Sequence, residues 1–410
     1  MPLSSIIRSD DLRSENRRRL LNTLRVVGPC SPAQVRQLTG LSAASVSTLS
    51  SQMIDQGILV SERPSAAPEK ALRGRPRSQL SHNPAAGHAL TITLTIDRIR
   101  VSLVDYAGTV CDTREKFPDT RSLNATQLLS VLYECVDALC AEHEEVRLHH
   151  IGVGFQGQTE HATGALLWSP IIREHNIPLG TALSRRYEVN VSVHNDCRLI
   201  AQALSRSNTG LLGDTFATVL FSHGVGLGLY LNGRPFAGTR SSAMELGHLR
   251  YKSGGALCRC GKRGCIEAYA ADYGIERLAL GLPMDTPPTG RVAESSMQAL
   301  VAAAEAGDKT ASEAFEAAGR AVGEGLVNLF TLLDPMPVAL VGHSGNAFDL
   351  MLAGIHTILD EHLINGPDPS SLLHCFNHDD TLLLQGLIDN SLRQVDRLFA
   401  DQRTDTELHE

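Results

Sequence analysis

Three thiols crowd into eight residues of this 410-residue chain, Cys258-Arg259-Cys260-Gly261-Lys262-Arg263-Gly264-Cys265. Cysteines so spaced, on a loop whose glycines permit tight turns, suit zinc, which takes four ligands in a structural site. His248, ten residues upstream, is the nearest good fourth. Three thiolates and an imidazole complete a tetrahedron and leave no open position. One structural zinc per chain is therefore expected on His248, Cys258, Cys260 and Cys265, with Lys262 and Arg263 offsetting thiolate charge. Three free or oxidised cysteines are the competing reading.

A second chemistry is written near the N-terminus. Ser42, Ser45, Ser47, Thr48 and Ser51 stand opposite an apolar stripe of Val46, Leu49 and Met53, and their hydroxyls could hydrogen-bond bases or phosphates. That segment has no Lys or Arg. The charge lies in Arg17, Arg18 and Arg19, and in Arg73-Gly74-Arg75-Pro76-Arg77. Glycine and proline keep the latter run slim and extended while Arg73, Arg75 and Arg77 project, which suits an electronegative A·T-rich minor groove. A solubilising linker is the alternative.

The elements that must position these groups follow from periodicity. From Glu15, Leu20, Leu21, Leu24 and Val27 mark one helix face, and Gly28 stops it. Ser31-Pro32 opens a second helix with Val35 and Leu38 inward and Gly40 at its end; Ser42 caps a third, closed by Gly57. Ile58–Val60 is a short strand. This is the pattern of a winged helix-turn-helix, with a domain boundary near residue 82. Beyond it, 90–96 and 99–103 alternate as a β-hairpin. Further strands are expected at 150–156, 189–194, 216–222, 226–232 and 337–342, and helices at 124–142, 178–187, 268–280 and 311–334. That describes a two-lobed α/β body without a usable internal repeat. The glycine-rich runs Gly224–Gly228 and Val341–Gly345 suit either close packing or a phosphate.

Composition narrows the class. With 42% hydrophobic and 20% charged residues the chain is ordinary globular material, not collagen, a coiled-coil rod or a disordered polymer. Its net charge of −8 hides an asymmetry, since residues 1–80 carry +6 and the remaining 330 carry −14. A basic end on an acidic body fits a nucleic-acid-binding module joined to something else. Nine cysteines are too few and too uneven for a secreted disulfide scaffold. Met1–Arg19 lacks the apolar run of a signal peptide, and no stretch of about 18 apolar residues exists. A soluble cytoplasmic protein is expected.

Glu245-Leu246-Gly247-His248, followed by Cys-x-Cys-Gly-x-x-Gly-Cys-x-Glu from Cys258 to Glu267, resembles the signature of the ROK family of repressors, open reading frames and sugar kinases. The order of helix-turn-helix, Arg-Gly-Arg-Pro run and body is similar to its repressor branch, the xylose, N-acetylglucosamine and glucose-responsive repressors. The resemblance implies an actin-like, ribonuclease-H-like pair of lobes. These would be residues 83–195 and 196–410, the second carrying the zinc site, with C-terminal helices packing back on the first. It also implies a sugar in the cleft, with Asn195, Asp196, Glu245, His248 and Glu267 on its hydroxyls, Asp196 matching the kinases' general base, and His248 serving zinc as well.

Two departures stand out. Where the kinases carry an Asp-x-Gly-Gly-Thr turn toward ATP, this chain has Thr93-Leu94-Thr95-Ile96-Asp97. Without the acid and both glycines, phosphoryl transfer should be lost and Asp196 left vestigial. Where the kinases often place a sugar-contacting Asn, Ile171 follows Ser169-Pro170. The expected protein is not an enzyme. It is a homodimeric or dimer-of-dimers repressor that binds operator DNA under control of a sugar or sugar derivative. The competing readings are an ATP-dependent sugar kinase with an appended DNA-binding domain, and a repressor controlled by a sequestering protein partner.

Overall fold

The computed structural model describes residues 9–62, 78–221, 223–238, 244–288, 290–342, 345–363, 366–377 and 380–402. Arg73, Arg75 and Arg77 lie outside them, as do His343 and Ser344 of the second glycine-rich run.

The N-terminal unit is α1 (Ser9–Val27), α2 (Pro32–Thr39), α3 (Ala43–Asp55) and an antiparallel pair, β1 (Leu59–Glu62) and β2 (Gln79–His82). Ser31 and Gln34 form a reciprocal capping box at the start of α2, and Gly40 ends it in the left-handed region at φ 72°. Ser42 caps α3 by accepting from the Ser45 N–H at 3.0 Å. The first helix starts at Ser9 rather than Glu15, and Val27 and Leu38 are exposed rather than inward. Each lies in the last turn of its helix, where the chain is leaving the core. Leu20, Leu21, Leu24, Val46 and Met53 are buried, in one cluster with Tyr106, Leu392, Val395 and Phe399 of the body. The core of the head is continuous with that of the body.

The first lobe holds β3 (His88–Leu94), β4 (Ile99–Asp105), β5 (Val110–Lys116), α4 (Ala125–Glu142), β6 (Leu148–Phe155), the hairpin β7 (Gln158–Glu160) and β8 (Ala165–Trp168), α5 (Leu179–Tyr187) and β9 (Asn190–Asn195). Its main sheet has the order β5-β4-β3-β6-β9. Next come α6 (Asp196–Ser207), α7 (Thr209–Leu212), β10 (Phe216–Phe221), β11 (Val225–Leu231) and β12 (Arg234–Pro235). The second lobe continues with α8 (Glu267–Ala270), α9 (Asp272–Ala279), α10 (Glu294–Glu305), α11 (Lys309–Leu333), β13 (Val338–Gly342), α12 (Gly345–His362), α13 (Pro369–Leu372) and β14 (Leu373–Asn377). Its sheet runs β12-β11-β10-β13-β14. In chain order both sheets therefore read third, second, first, fourth, fifth strand. In both, the first three strands are antiparallel and the last two parallel.

The last helix, α14 (Asp380–Asp401), returns to lie on β3 and β6 and against α6 and α1. It covers Thr91 and Thr93, so the alternation in β3 does not mark a wet face; both threonines are buried. At Gly386 a Cβ would stand 2.1 Å from the Leu199 carbonyl, so only glycine lets α14 and α6 meet backbone to side. Among the described residues no helix is long and apolar enough to cross a membrane.

Candidate ligand cleft and metal centre

Asn195 ends β9 and caps α6. Its Oδ1 accepts from the Arg198 N–H at 3.3 Å, while its Nδ2 donates to the Gly157 carbonyl at 2.9 Å. From the second lobe, a 3-10 turn at Leu246–His248 brings in Glu245 and His248, whose Oε2 and Nε2 lie 3.8 Å apart. Burial raises the Glu245 carboxyl, opposed by His248 and a hydrogen bond from Gln158. Glu267 opens α8 and is 3% exposed. Its Oε2 accepts from the Val225 N–H at 3.4 Å and its Oε1 from the Tyr273 hydroxyl at 3.1 Å. Asn195, Glu245, His248 and Glu267 thus line one cleft, together with Gln156, Trp168, Arg198 and Phe236. The Trp168 ring stands edge-on to His248 with centroids 5.5 Å apart. A flat apolar ring beside several hydroxyl-binding groups is a chemistry suited to a small polyol.

Asp196 does not line that cleft. It opens on an adjoining space of about 450 Å³ with Thr95, Asp97, Arg98, Gln156 and Arg291. Burial pushes its carboxyl up to about 6, against the downward pull of the Cys197 N–H at 2.8 Å.

The four candidate metal ligands converge. The donor atoms of His248, Cys258, Cys260 and Cys265 all lie within 4.8 Å of one another. Cys258 Sγ is 3.7 Å from His248 Nδ1, and Cys260 Sγ is 3.8 Å from Cys265 Sγ. Zinc–sulfur bonds of about 2.3 Å in a tetrahedron give edges of about 3.8 Å, so the donor set could hold a metal ion of that size. Antiparallel bridges Arg250–Cys265 and Leu257–Arg263 hold the loop, and Gly264 turns it at φ 79°. A Cβ there would collide with the Lys252 carbonyl. Burial raises the Cys258 and Cys265 thiols, a bias that a bound cation reverses. Tyr273 donates to Cys258 Sγ at 3.6 Å and also reaches Glu267, tying the metal loop to the cleft.

The family model of the ROK family matches residues 90–382. This chain belongs to the ROK family. It is 26% identical over 347 residues to the DNA-binding transcriptional dual regulator NagC of Escherichia coli K12, covering 81% of each chain. The crystal structure of a ROK family transcriptional regulator, a homologue of the E. coli Mlc protein, superposes with a TM-score of 0.75 at 22% identity and covers 95% of this chain and 99% of that one. A ROK glucokinase from Streptomyces griseus, solved with glucose and AMPPNP, covers 75% of this chain and 100% of its own at 25% identity and a TM-score of 0.55. The body therefore has the two-sheet, actin-like ROK sugar-kinase fold, and the superposition on the regulator takes in the N-terminal helices as well.

Within this ROK body, the segment Thr93–Asp97 runs from β3 into a tight turn. Thr95 N–H donates to the Arg98 carbonyl at 2.9 Å, and Ile96 is buried. Across the space beside it, Asp97 pairs with Arg291 and Arg98 with Asp380. The glycines of 224–228 serve packing. A Cβ on Gly226 or Gly228 would lie 2.3 Å from Cys197 of α6, and one on Gly224 would meet Gln156 and Glu267. Ile171 is buried in the first-lobe core, with Thr120 donating to its carbonyl at 2.8 Å, and the neighbouring Pro170 lines the cleft instead.

On the head, Ser47, Thr48 and Ser51 are exposed on one side of α3; Ser45 is half-buried and Ser42 is engaged as the cap. Arg17 is not free for a partner, being 2% exposed and donating to Gln56 Oε1 at 2.7 Å and the Phe399 carbonyl at 2.8 Å. Sequence reasoning missed Gln156, Gln158, Trp168, Arg198 and Tyr273. None falls in a motif; only the fold brings Gln156, Trp168 and Arg198 to the cleft and sets Gln158 and Tyr273 on its carboxylates Glu245 and Glu267.

Proposed function

We propose that this chain is a DNA-binding transcriptional repressor whose operator affinity is set by a sugar or sugar derivative bound between the lobes. The observation that carries this reading is the shared core of head and body, because α14 touches both the cleft helix and the head. The first three helices and the β1–β2 pair act as a winged helix-turn-helix, with Ser47, Thr48 and Ser51 of α3 toward the major groove and Arg73, Arg75 and Arg77 in the minor groove. A homodimer places two such heads on a two-fold operator. Asn195, Glu245, His248 and Glu267 bind sugar hydroxyls. A zinc on His248, Cys258, Cys260 and Cys265 fixes the imidazole and, through Tyr273, the neighbouring carboxylate.

Coupling has a physical route. Lobe closure on a ligand bears on Asn195 and the start of α6. That helix meets α14 at Gly386, and Arg206 pairs with Asp389. The far end of α14 holds α1. Arg25 grips Asp396 with bonds of 2.8 and 3.2 Å, the Tyr106 hydroxyl donates to the same carboxylate at 2.8 Å, and Arg17 reaches the Phe399 carbonyl. A ligand that favours one lobe angle thereby favours one head position.

The kinase reading draws on Asp196, beside its large cavity. Against it stand the Thr95–Arg98 turn, which offers no glycine amides to phosphate, and the Asp97–Arg291 and Arg98–Asp380 pairs across the space. A coupled ATPase assay over a sugar panel should show no sugar-dependent turnover; turnover abolished by Asp196→Asn would restore the enzyme. The repressor reading is tested by fluorescence anisotropy at fixed salt, using DNA upstream of the chain's own and neighbouring genes, with and without sugars. Tight sequence-specific binding shifted by one sugar is expected. Failure to discriminate any operator from random DNA would reject it.

A further inference from the structure

The three thiols of the metal loop are not equally placed. Cys258 is 1% exposed and Cys265 2%, whereas Cys260 is half-buried, beside the exposed Gly261, Lys262 and Arg263. Cys258 faces inward, its Sγ 3.7 Å from His248 Nδ1, 3.5 Å from Glu267 Oε1 and 3.6 Å from the Tyr273 hydroxyl. Cys260 turns instead to Cys265, with the two sulfurs 3.8 Å apart. An outer thiol therefore stands against a buried one. The segment that joins them turns through Gly261 and Gly264, both at positive φ.

That placement is the one that makes a cysteine pair reactive. A thiol meets an oxidant according to its ionisation, its access and the positive charge around it. Coordination to a cation keeps a thiol deprotonated, and Lys262 and Arg263 add a positive flank on the solvent side. The sulfur of Cys265 gives the first oxidation product of Cys260 a partner before oxidation goes further. Zinc has no redox chemistry of its own, so any electrons must come from the sulfurs.

We infer that this loop is an oxidation site, at which a peroxide joins Cys260 to Cys265 as a disulfide, releases the metal and loosens the side of the cleft that holds His248. The inference rests on the zinc reading of the four donors. The Cys260 thiolate attacks one peroxide oxygen and the O–O bond breaks, leaving a sulfenic acid and a hydroxide. The Cys265 thiolate then attacks the Cys260 sulfur, so that the S–S bond forms and a second hydroxide leaves. The two thiolates have given up two electrons and the peroxide has taken them. Cys258 and His248 remain, too few donors for a four-coordinate site. His248 Nε2 lies 3.8 Å from Glu245 Oε2 and its ring stands edge-on to Trp168, so the cleft loses what fixed that ring. A dithiol reverses the change by thiol–disulfide exchange.

Trp168 is the only tryptophan in the chain, and its emission reports on the imidazole beside it. The test uses the full-length protein, purified under reducing conditions and assayed for metal. It is titrated with hydrogen peroxide in the presence of a chromogenic chelator while tryptophan emission is followed. A triple variant, Cys111→Ser with Cys140→Ser and Cys375→Ser, runs beside wild type to remove the other exposed thiols. Both proteins should release their whole zinc content, with Trp168 emission changing in step. Peptide mass spectrometry after alkylation should find Cys260 linked to Cys265, and dithiothreitol with added zinc should restore metal and emission. Zinc retained while Cys111, Cys140 and Cys375 are oxidised in wild type would overturn the inference. So would a link between other thiols, or sulfinic acids that the dithiol does not reverse, and each of these results leaves the metal centre standing. If the reduced protein holds no zinc, the metal reading fails and takes the inference with it.

Discussion

Asp196 carries a folding cost that its position makes measurable. With its carboxyl moved from 3.8 to about 6 by burial, the folded chain keeps a proton that the unfolded chain releases between about pH 4 and pH 6. Stability from this group is therefore greatest at acid pH and falls through that window. Above it the ionised, buried carboxylate costs about 3 kcal/mol. Asp196→Asn is expected to stabilise the protein by about 1–3 kcal/mol in urea melts at pH 7.5, with the gain shrinking as pH falls toward 4. A gain independent of pH would show that the carboxylate is not the source. Around the metal, Cys260→Ala should abolish stoichiometric zinc and lower the melting temperature. Tyr273→Phe removes only the hydroxyl that supports Cys258 and Glu267, and should weaken zinc binding by roughly 10–100-fold. Metal analysis during titration with a chelator reads both; a Tyr273→Phe protein that holds zinc as tightly as wild type would leave that hydroxyl with packing alone. These residues differ in how far the sequence reveals them. The four candidate metal ligands are legible because three are packed into eight residues. Arg198 and Tyr273 are not, since what matters about each is what it faces.

At the scale of elements, α14 is the part on which the proposed coupling depends. Its Asp396 and the Arg25 of α1 have side chains only 6% and 4% exposed. Breaking such a buried pair by removing one partner costs about 3–5 kcal/mol, because the remaining charge is stranded. Asp396→Asn should therefore loosen the head from the body. Operator binding without ligand is expected to persist, since the α3 surface is untouched, while the ligand-dependent change in affinity collapses toward zero. Anisotropy titrations with and without effector measure this, and an unaltered response would exclude the latch from the coupling. The head's helices were readable because caps and glycines punctuate them, as at Ser31, Gly40 and Ser42. The edge strand β5 was not, because none of its seven residues is buried and its pattern VCDTREK carries no apolar alternation. Strand β12 has two residues and no periodicity to read. The exposed ends Val27 and Leu38 were misread for the opposite reason, as they keep the helical spacing past the point where the core stops.

For the whole molecule, the repeated strand order of the two sheets is the frame within which the proposed ligand response must work. The two lobes share one strand order, are joined through α6 and are spanned by α14, so the proposed coupling needs their relative angle to respond to a ligand while both sheets stay intact. The sequence hides this symmetry because topology is set by crossover handedness and strand pairing, which place few demands on residue identity. The proposed coupling has a thermodynamic consequence for the intact protein. If effector and operator each favour one arrangement of lobes and heads, the factor by which effector changes operator affinity must equal the factor by which operator changes effector affinity. A typical coupling of about 1–3 kcal/mol is 5–150-fold. Calorimetric titration of effector into the free protein and into its operator complex, set beside anisotropy with and without saturating effector, should return the same factor at one salt concentration. Matching factors near unity would mean that the cleft and the head occupy one chain without communicating, and control would then lie with a protein partner. Equal factors well above unity, lost together in Asp396→Asn, would place the communication in the buried seam between α14 and α1.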